Sequence, residues 1–222
     1  MEYCAQYLWE KGTEKEYNPI SLVLQQVRLY GKPVLLACIC EGTAPGKNAV
    51  RESGFFTERL VEWFHNEFLK KYAGKEGQEE IGWALEKELE KILRELSAAD
   101  GMKQTELHYM GILLKENMFW LFYTEQSRLF LLNKRFNHKQ IRALAKETER
   151  GRMQGRMQRG IGILLCTPSF TEKLTEEEMV EVLFAEKNCT DEKLGRRLKE
   201  IWQESERRNM KESAGAVYIR IQ

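Results

Sequence analysis

Long apolar runs are missing from this sequence. No window approaches the roughly 18 apolar residues of a membrane-spanning helix. The amino terminus, MEYCAQYLWEKG, has neither a basic start nor an apolar stretch of signal-peptide length. The expectation is a cytoplasmic protein with no membrane as partner. An excess of charge is missing too. The chain has 35 Lys and Arg against 34 Asp and Glu, a formal net charge of +1, which gives no electrostatic reason to expect a nucleic acid or an anionic surface. Histidine is scarce and dispersed, at His65, His108 and His138, so surface or packing roles are expected for all three. The five cysteines, Cys4, Cys38, Cys40, Cys166 and Cys189, form no CxxC pair and have no nearby His, which excludes the usual zinc and redox patterns and leaves reduced core thiols. There is no Gly-x-Ser-x-Gly elbow and no glycine-rich phosphate loop with a lysine. Ser169 lies in a Thr-Pro-Ser-Phe turn without a paired His, so serine-hydrolase and nucleotide-loop chemistry are set aside.

What is present is enough to fill a core. Of 222 residues 42% are apolar, with five Trp and ten Phe, and nothing marks an internal boundary, so residues 1–222 are expected to form one domain. The organising stretch is Pro33 to Gly46, PVLLACICEGTAPG. Val34 to Cys40 suits a buried strand with Cys38 and Cys40 on one face, and it stops at Glu41 and a turn. A carboxylate is thereby delivered to a strand end.

The rest reads in order. Tyr3 to Trp9 is a strand and Gly12 to Asn18 a polar loop. Residues 20 to 29 and Val34 to Cys40 make an antiparallel hairpin about a Tyr-Gly-Lys turn. The first helix, about 47 to 71, carries Phe56, Leu60, Phe64 and Phe68 four apart. The second, about 79 to 98, carries Ile81, Leu85, Leu89, Ile92 and Leu96 on one face. From Thr105 three strand-like runs read as a meander, with His108 and Trp120 as packing residues. Residues 134 to 160 are basic and irregular and contain GRMQ twice, at Gly151 to Gln158. They read as a mobile surface loop, or as a place where Arg150, Arg152, Arg156 and Arg159 gather a phosphorylated or acidic partner. A strand at Ile161 to Cys166 follows. Thr175 with Glu178 forms a capping box for a short helix, Thr190 opens a longer one, and Ala216 to Ile221 is a final strand. Grouped strands and grouped helices indicate an α+β domain, a four-layer α-β-β-α sandwich with two antiparallel sheets flanked by helix pairs.

This order, with its strand-end turns, resembles the metal-dependent Ser/Thr protein phosphatases of type 2C over almost the whole chain. The family's Gly-x-x-Arg-x-x-Asn-Glu-Asp falls on Gly12, Lys15, Asn18, Pro19 and Ile20. Its Asp-Gly-Met-Gly-Gly falls on Glu41, Gly42, Thr43, Ala44 and Pro45, its Gly-Asp-Ser-Arg on Glu125, Gln126, Ser127 and Arg128, its Ser-Asp-Gly-Leu on Thr167, Pro168, Ser169 and Phe170, and its closing Asp-Asn-x-Thr on Glu212 to Gly215. The resemblance implies two Mn²⁺ or Mg²⁺ ions bridged by an aspartate and by the water that attacks a phosphoserine or phosphothreonine. Such ions need several hard oxygen ligands at about 2.0 to 2.2 Å. The matching aspartate positions hold Ile20, Gln126 and Pro168 here, while Glu41 and Glu212 are carboxylates one methylene longer.

The departures make Lys15, Ile20, Glu41, Gly42, Gln126, Pro168 and Glu212 positions of a degenerate active site. Neither a catalytic residue nor a cofactor is expected, with Glu41 and Glu212 the residual candidates for a single ion. The expected function is a catalytically inactive, bacterial-type regulatory module that binds protein partners, phosphoproteins among them. The alternative is a divergent Mn- or Mg-dependent Ser/Thr phosphatase, and a third reading is a phosphopeptide reader through Lys15.

Overall fold

The computed structural model describes residues 1–72, 77–99, 107–125, 128–135, 138–143, 151–184 and 190–222. Side chains are described over the same spans apart from residues 99, 134, 135 and 138–143. Gln126, Arg150 and Cys189 lie outside the described residues.

The chain opens with β1 (Tyr3–Glu10), β2 (Ile20–Leu29) and β3 (Lys32–Glu41). β2 and β3 pair from Ile20↔Glu41 to Leu29↔Lys32, leaving Tyr30 and Gly31 to turn the hairpin at φ 52° and 76°. Two successive left-handed residues make a type I′ turn, whose twist matches that of the flanking strands. Glycine accepts this conformation freely, and the exposed tyrosine before it does not.

Helix α1 (Lys47–Trp63) continues directly as a π-helical segment, Phe64–Tyr72. Phe56, Leu60, Phe64 and Phe68 all have no exposed surface. Four residues overshoot one α-helical turn by about 40°, so a strict four-residue repeat rotates off the core unless the helix widens. The π segment does that where the repeat ends. Phe64 and Phe68 stack there at 5.5 Å with planes 10° apart. α2 (Gln78–Ala99) buries Ile81, Leu85, Leu89, Ile92 and Leu96 beside α1, as its spacing predicts.

β4 (His108–Lys115) and β5 (Met118–Tyr123) form the next hairpin, and here the expected meander is corrected. β6 (Arg128–Arg135) does not pair with β5. It crosses to the other sheet, between β7 (His138–Ala143) and β9 (Gly162–Cys166). Both of its faces are apolar, with Leu129 between the sheets and Phe130 and Leu132 toward the helices behind. Either sheet could therefore have taken it. The edge of β5 is filled instead by β8 (Gly151–Arg156), paired as Tyr123↔Gly151 and Phe119↔Gly155. The mobile loop expected over 134 to 160 is thus corrected to two strands within its described part. Added Cβ atoms on Gly151 and Gly155 would each stand 2.9 Å from a ring atom, of Tyr123 and Phe119 respectively, so the glycines are where two aromatic side chains lie across the edge strand.

After β9, Thr167 to Phe170 forms the start of a one-turn helix, α3 (Pro168–Thr171), where only a turn was expected, with Pro168 at a first-turn position that needs no N–H. The capping box is present in both directions between Thr175 and Glu178 at the head of α4 (Glu176–Leu183), and the Thr190 side chain caps α5 (Asp191–Arg207). The chain closes in β10 (Ala214–Ile221).

Among the described residues the strands form two five-stranded antiparallel sheets, β1-β10-β9-β6-β7 and β2-β3-β4-β5-β8. α1 and α2 cover the outer face of the second sheet through Leu36, Cys38, Cys40, Phe56 and Leu85. α4 and α5 cover that of the first through Leu164, Cys166, Leu194 and Leu198. Leu35, Ala37 and Ile39 meet Ile163, Leu165, Val217 and Ile219 between the sheets. This is the expected four-layer α-β-β-α sandwich. Cys38, Cys40 and Cys166 are fully buried, and burial pushes each thiol up, Cys166 to about 12. They behave as apolar filling. No described helix is long and apolar enough to cross a membrane.

Tyr30 is 87% exposed, so replacing it forfeits no packing while removing left-handed strain. Tyr30→Asn is expected to raise stability by about 0.5 to 1 kcal/mol, read as a higher urea midpoint at unchanged slope.

Candidate functional site

The inter-sheet core ends at a mouth, and the strand register decides what stands there. On β3, Leu35, Ala37 and Ile39 face the first sheet, and strand alternation puts Glu41 on the same face one step beyond. Ile20 lies directly opposite Glu41 on β2, and His108 directly opposite it on β4. The other sheet contributes the end of β9, with Thr167, Pro168 and Ser169, and the approach to β10, with Glu212 and Ser213. Glu41, His108, Pro168, Ser169, Glu212 and Ser213 line a cleft of about 600 Å³ with Lys15, Glu16, Tyr17, Gly42, Thr43 and Glu172.

Close backbone approaches hold the walls. Gly12 follows β1 and donates its N–H to Ser213 Oγ at 3.1 Å. A Cβ on Gly12 would stand 2.1 Å from the Lys211 carbonyl oxygen, so only glycine lets these segments touch. Gly42 is as tight against α1, where a Cβ would meet the Ala49 carbonyl oxygen at 2.0 Å. Ser169 Oγ donates to the Ser213 carbonyl at 2.6 Å. Gly215 donates its N–H to Thr167 Oγ1 at 3.1 Å, tying β9 to β10.

The turn after Glu41 has an unexpected support. Glu52 on α1 is fully buried, and its Oε2 accepts the Ala44 N–H at 3.1 Å, while its Oε1 has no protein partner. The sequence carries the signal: Glu52 is one step back in the four-residue series through Phe56, Leu60, Phe64 and Phe68. An acid in an apolar register is a side chain forced inward. His108 was likewise expected to be packing, and it lines the cleft. Its link to Glu41 depends on strand pairing, which a local reading does not reach.

Of the expected positions, the fold brings Lys15, Glu41, Gly42, Pro168 and Glu212 to one cleft. Ile20 stands beneath it, 1% exposed, with its Cγ2 only 3.0 Å from where a Cβ on Gly215 would be. Lys15 Nζ lies 2.8 Å from Glu212 Oε2. Desolvation, then the Glu212 carboxylate, push Glu41 up from the usual carboxylate value, while the Lys15 ammonium draws it down. The hydrogen bond to Glu212 and its charge raise Lys15. Among the described residues, no group of three or more His, Cys, Asp or Glu side chains could hold a metal ion.

Of the expected arginines, the three described ones do not line this cleft. Arg152 pairs with Glu86 on α2. Arg156 lies opposite Met118, at the far end of β5 from the cleft, and Arg159 lies in the turn beyond β8. A separate groove of about 450 Å³ between α2 and β8, lined by Trp83, Leu89, Trp120 and Phe122, holds Arg152 alone of the expected positions.

No family model and no curated protein matches the sequence. Solved structures match along its whole length. Stp1, a Ser/Thr phosphatase of Staphylococcus aureus, is 15% identical with a TM-score of 0.77, over 100% of this chain and 96% of that one. PppA, described as a key regulatory component of T6SS in Pseudomonas aeruginosa, is 12% identical with a TM-score of 0.73, over 100% and 99%. The catalytic domain of the Ser/Thr phosphatase PstP, solved in complex with two manganese ions, is 14% identical with a TM-score of 0.70, over 99% and 98%. The chain has the fold of the type 2C Ser/Thr phosphatases.

A carboxyl raised by folding holds its proton more tightly in the native than in the unfolded chain. Its contribution to stability is present below the ordinary value of 4.5 and is lost as pH rises through the raised one. Glu41→Gln removes this loss. The stability of the variant relative to the parent is therefore expected to increase from pH 4.5 upward and then level off, measured by urea unfolding across a pH series.

Proposed function

We propose that residues 1–222 form a single type 2C phosphatase-like domain that does not hydrolyse phosphoesters and acts as a protein-binding or regulatory module. The observation that carries this is the content of the cleft. A dinuclear Mn²⁺ or Mg²⁺ centre requires several hard oxygen ligands converging on two points. At the positions where the resemblance implies aspartates, Ile20 is buried under Gly215 and Pro168 begins a helical turn, and neither offers a side-chain oxygen. Glu212 is engaged by Lys15. The donors do not fit the centre.

Phosphopeptide reading through Lys15 is weakened by the same geometry. The ammonium is already paired, and Glu16, Glu41, Glu172 and Glu212 line the cleft around it, a field that opposes a phosphate dianion. Protein partners fit better at the cleft rim than along β8, where Arg152 is held by Glu86. PppA, which shares the fold, is described as regulatory, and this supports a regulatory role here.

A divergent phosphatase remains the second reading, because Glu41, Glu212 and His108 do line one cleft. The two separate in an assay of p-nitrophenyl phosphate hydrolysis with millimolar Mn²⁺. The expected outcome is no turnover above buffer from a protein that unfolds cooperatively. Mn²⁺-dependent turnover that vanishes in Glu41→Ala establishes the second reading instead.

A further inference from the structure

We propose that Lys15 is a built-in counter-ion, its ammonium standing where a divalent cation would otherwise balance Glu41 and Glu212. This rests on reading the cleft as free of metal chemistry and goes further by saying what replaced the ion. Glu41 stands half-buried at the end of an apolar strand face, and Glu212 reaches the same cleft from the other sheet. Two carboxylates lining one cleft at the mouth of an apolar core repel, as the Glu212 charge acting on Glu41 shows, and the repulsion is met by a cation or by protonation.

The cation present is carried by the chain. Lys15 Nζ is 2.8 Å from Glu212 Oε2, and its charge acts on Glu41 as well. Its backbone is fixed for the purpose. Lys15 N–H donates to the Gly12 carbonyl at 3.2 Å, and Gly12 is locked against Lys211 and Ser213. A second pair, Lys211 with Glu14, crosses the same seam in the opposite sense. The loop from β1 and the segment before β10 are therefore joined by two reciprocal ion pairs, and the seam needs no added ion to close. A single ammonium offsets one of the two negative charges without offering the Lewis acidity that activates water. Substituting it for an ion preserves the walls of the site and removes its chemistry.

Lys15 and a divalent cation should then exclude each other, which thermal unfolding of the full chain can test in EDTA and in millimolar Mn²⁺. The parent and Lys15→Arg, which keeps the charge, are expected to unfold at the same temperature in both. Lys15→Met is expected to unfold lower in EDTA and to rise by about 3 to 6 °C in Mn²⁺, the response of a site filled to about ten times its dissociation constant. The rise should vanish in Lys15→Met with Glu41→Gln. A parent that responds as strongly as Lys15→Met overturns the inference, and so does a Lys15→Met protein that ignores Mn²⁺. A parent stabilised by Mn²⁺ that hydrolyses nothing defeats the counter-ion alone, whereas phosphoester turnover defeats the proposed function.

Discussion

The apolar seam between the two sheets is the constraint on which the rest depends. Leu35, Ala37 and Ile39 from one sheet and Leu165, Val217 and Ile219 from the other exclude water along its length. At one end the sheets come so close that a Cβ on Gly215 would stand only 3.0 Å from Ile20 Cγ2. The chain turns back at this end from several strands at once, so loops distant in sequence are delivered to one cleft. Burial of this kind is worth about 25 cal/mol for each Å² of apolar surface, and it does not depend on what the loops carry. A scaffold held by its seam can therefore keep its shape while the residues at the mouth change.

The electrostatics of the mouth follow from that placement. Glu41 is where the apolar face of β3 meets solvent, so its carboxylate is partly desolvated and feels Glu212 through a medium that screens poorly. Lys15 reaches the same space on a loop anchored by Gly12. An exposed ion pair contributes little to stability by itself, on the order of 0 to 1 kcal/mol. Its weight here lies in deciding which other charged groups can enter.

Much of the fold was legible in the sequence because its signals are local. The apolar run Val34 to Cys40, the helical spacing in α2 and the Thr175 and Glu178 box each depend on neighbours a few residues apart. Pairing between distant strands left no such trace. The run at Leu129 to Leu132 is apolar on both faces and reads the same in either sheet, so its crossing has no local signal. β8 has too few apolar residues to read as a strand, since it packs glycines against its neighbours and leaves its arginines exposed. At the cleft, the motif positions led to Lys15, Glu41 and Glu212. Glu52 is marked in the sequence only by its place in the four-residue apolar series, and its hold on the turn, like the place of His108 beside Glu41, follows from α1 folding against the turn and β4 pairing with β3.

The repeat in β8 bears on how that edge is held. GRMQ recurs after four residues, an even number, so sliding the strand by one unit along β5 would leave every side chain on its original face. Phe119 and Tyr123 are also four apart, and each lies over one glycine of the repeat. A slide toward the carboxyl end of β5 would set Gly155 under Tyr123 and bring Arg159 to Phe119, where a long charged side chain would replace the glycine. One aromatic ring thus distinguishes the native alignment from its nearest copy, and a further GRMQ unit after Gln158 would erase the distinction.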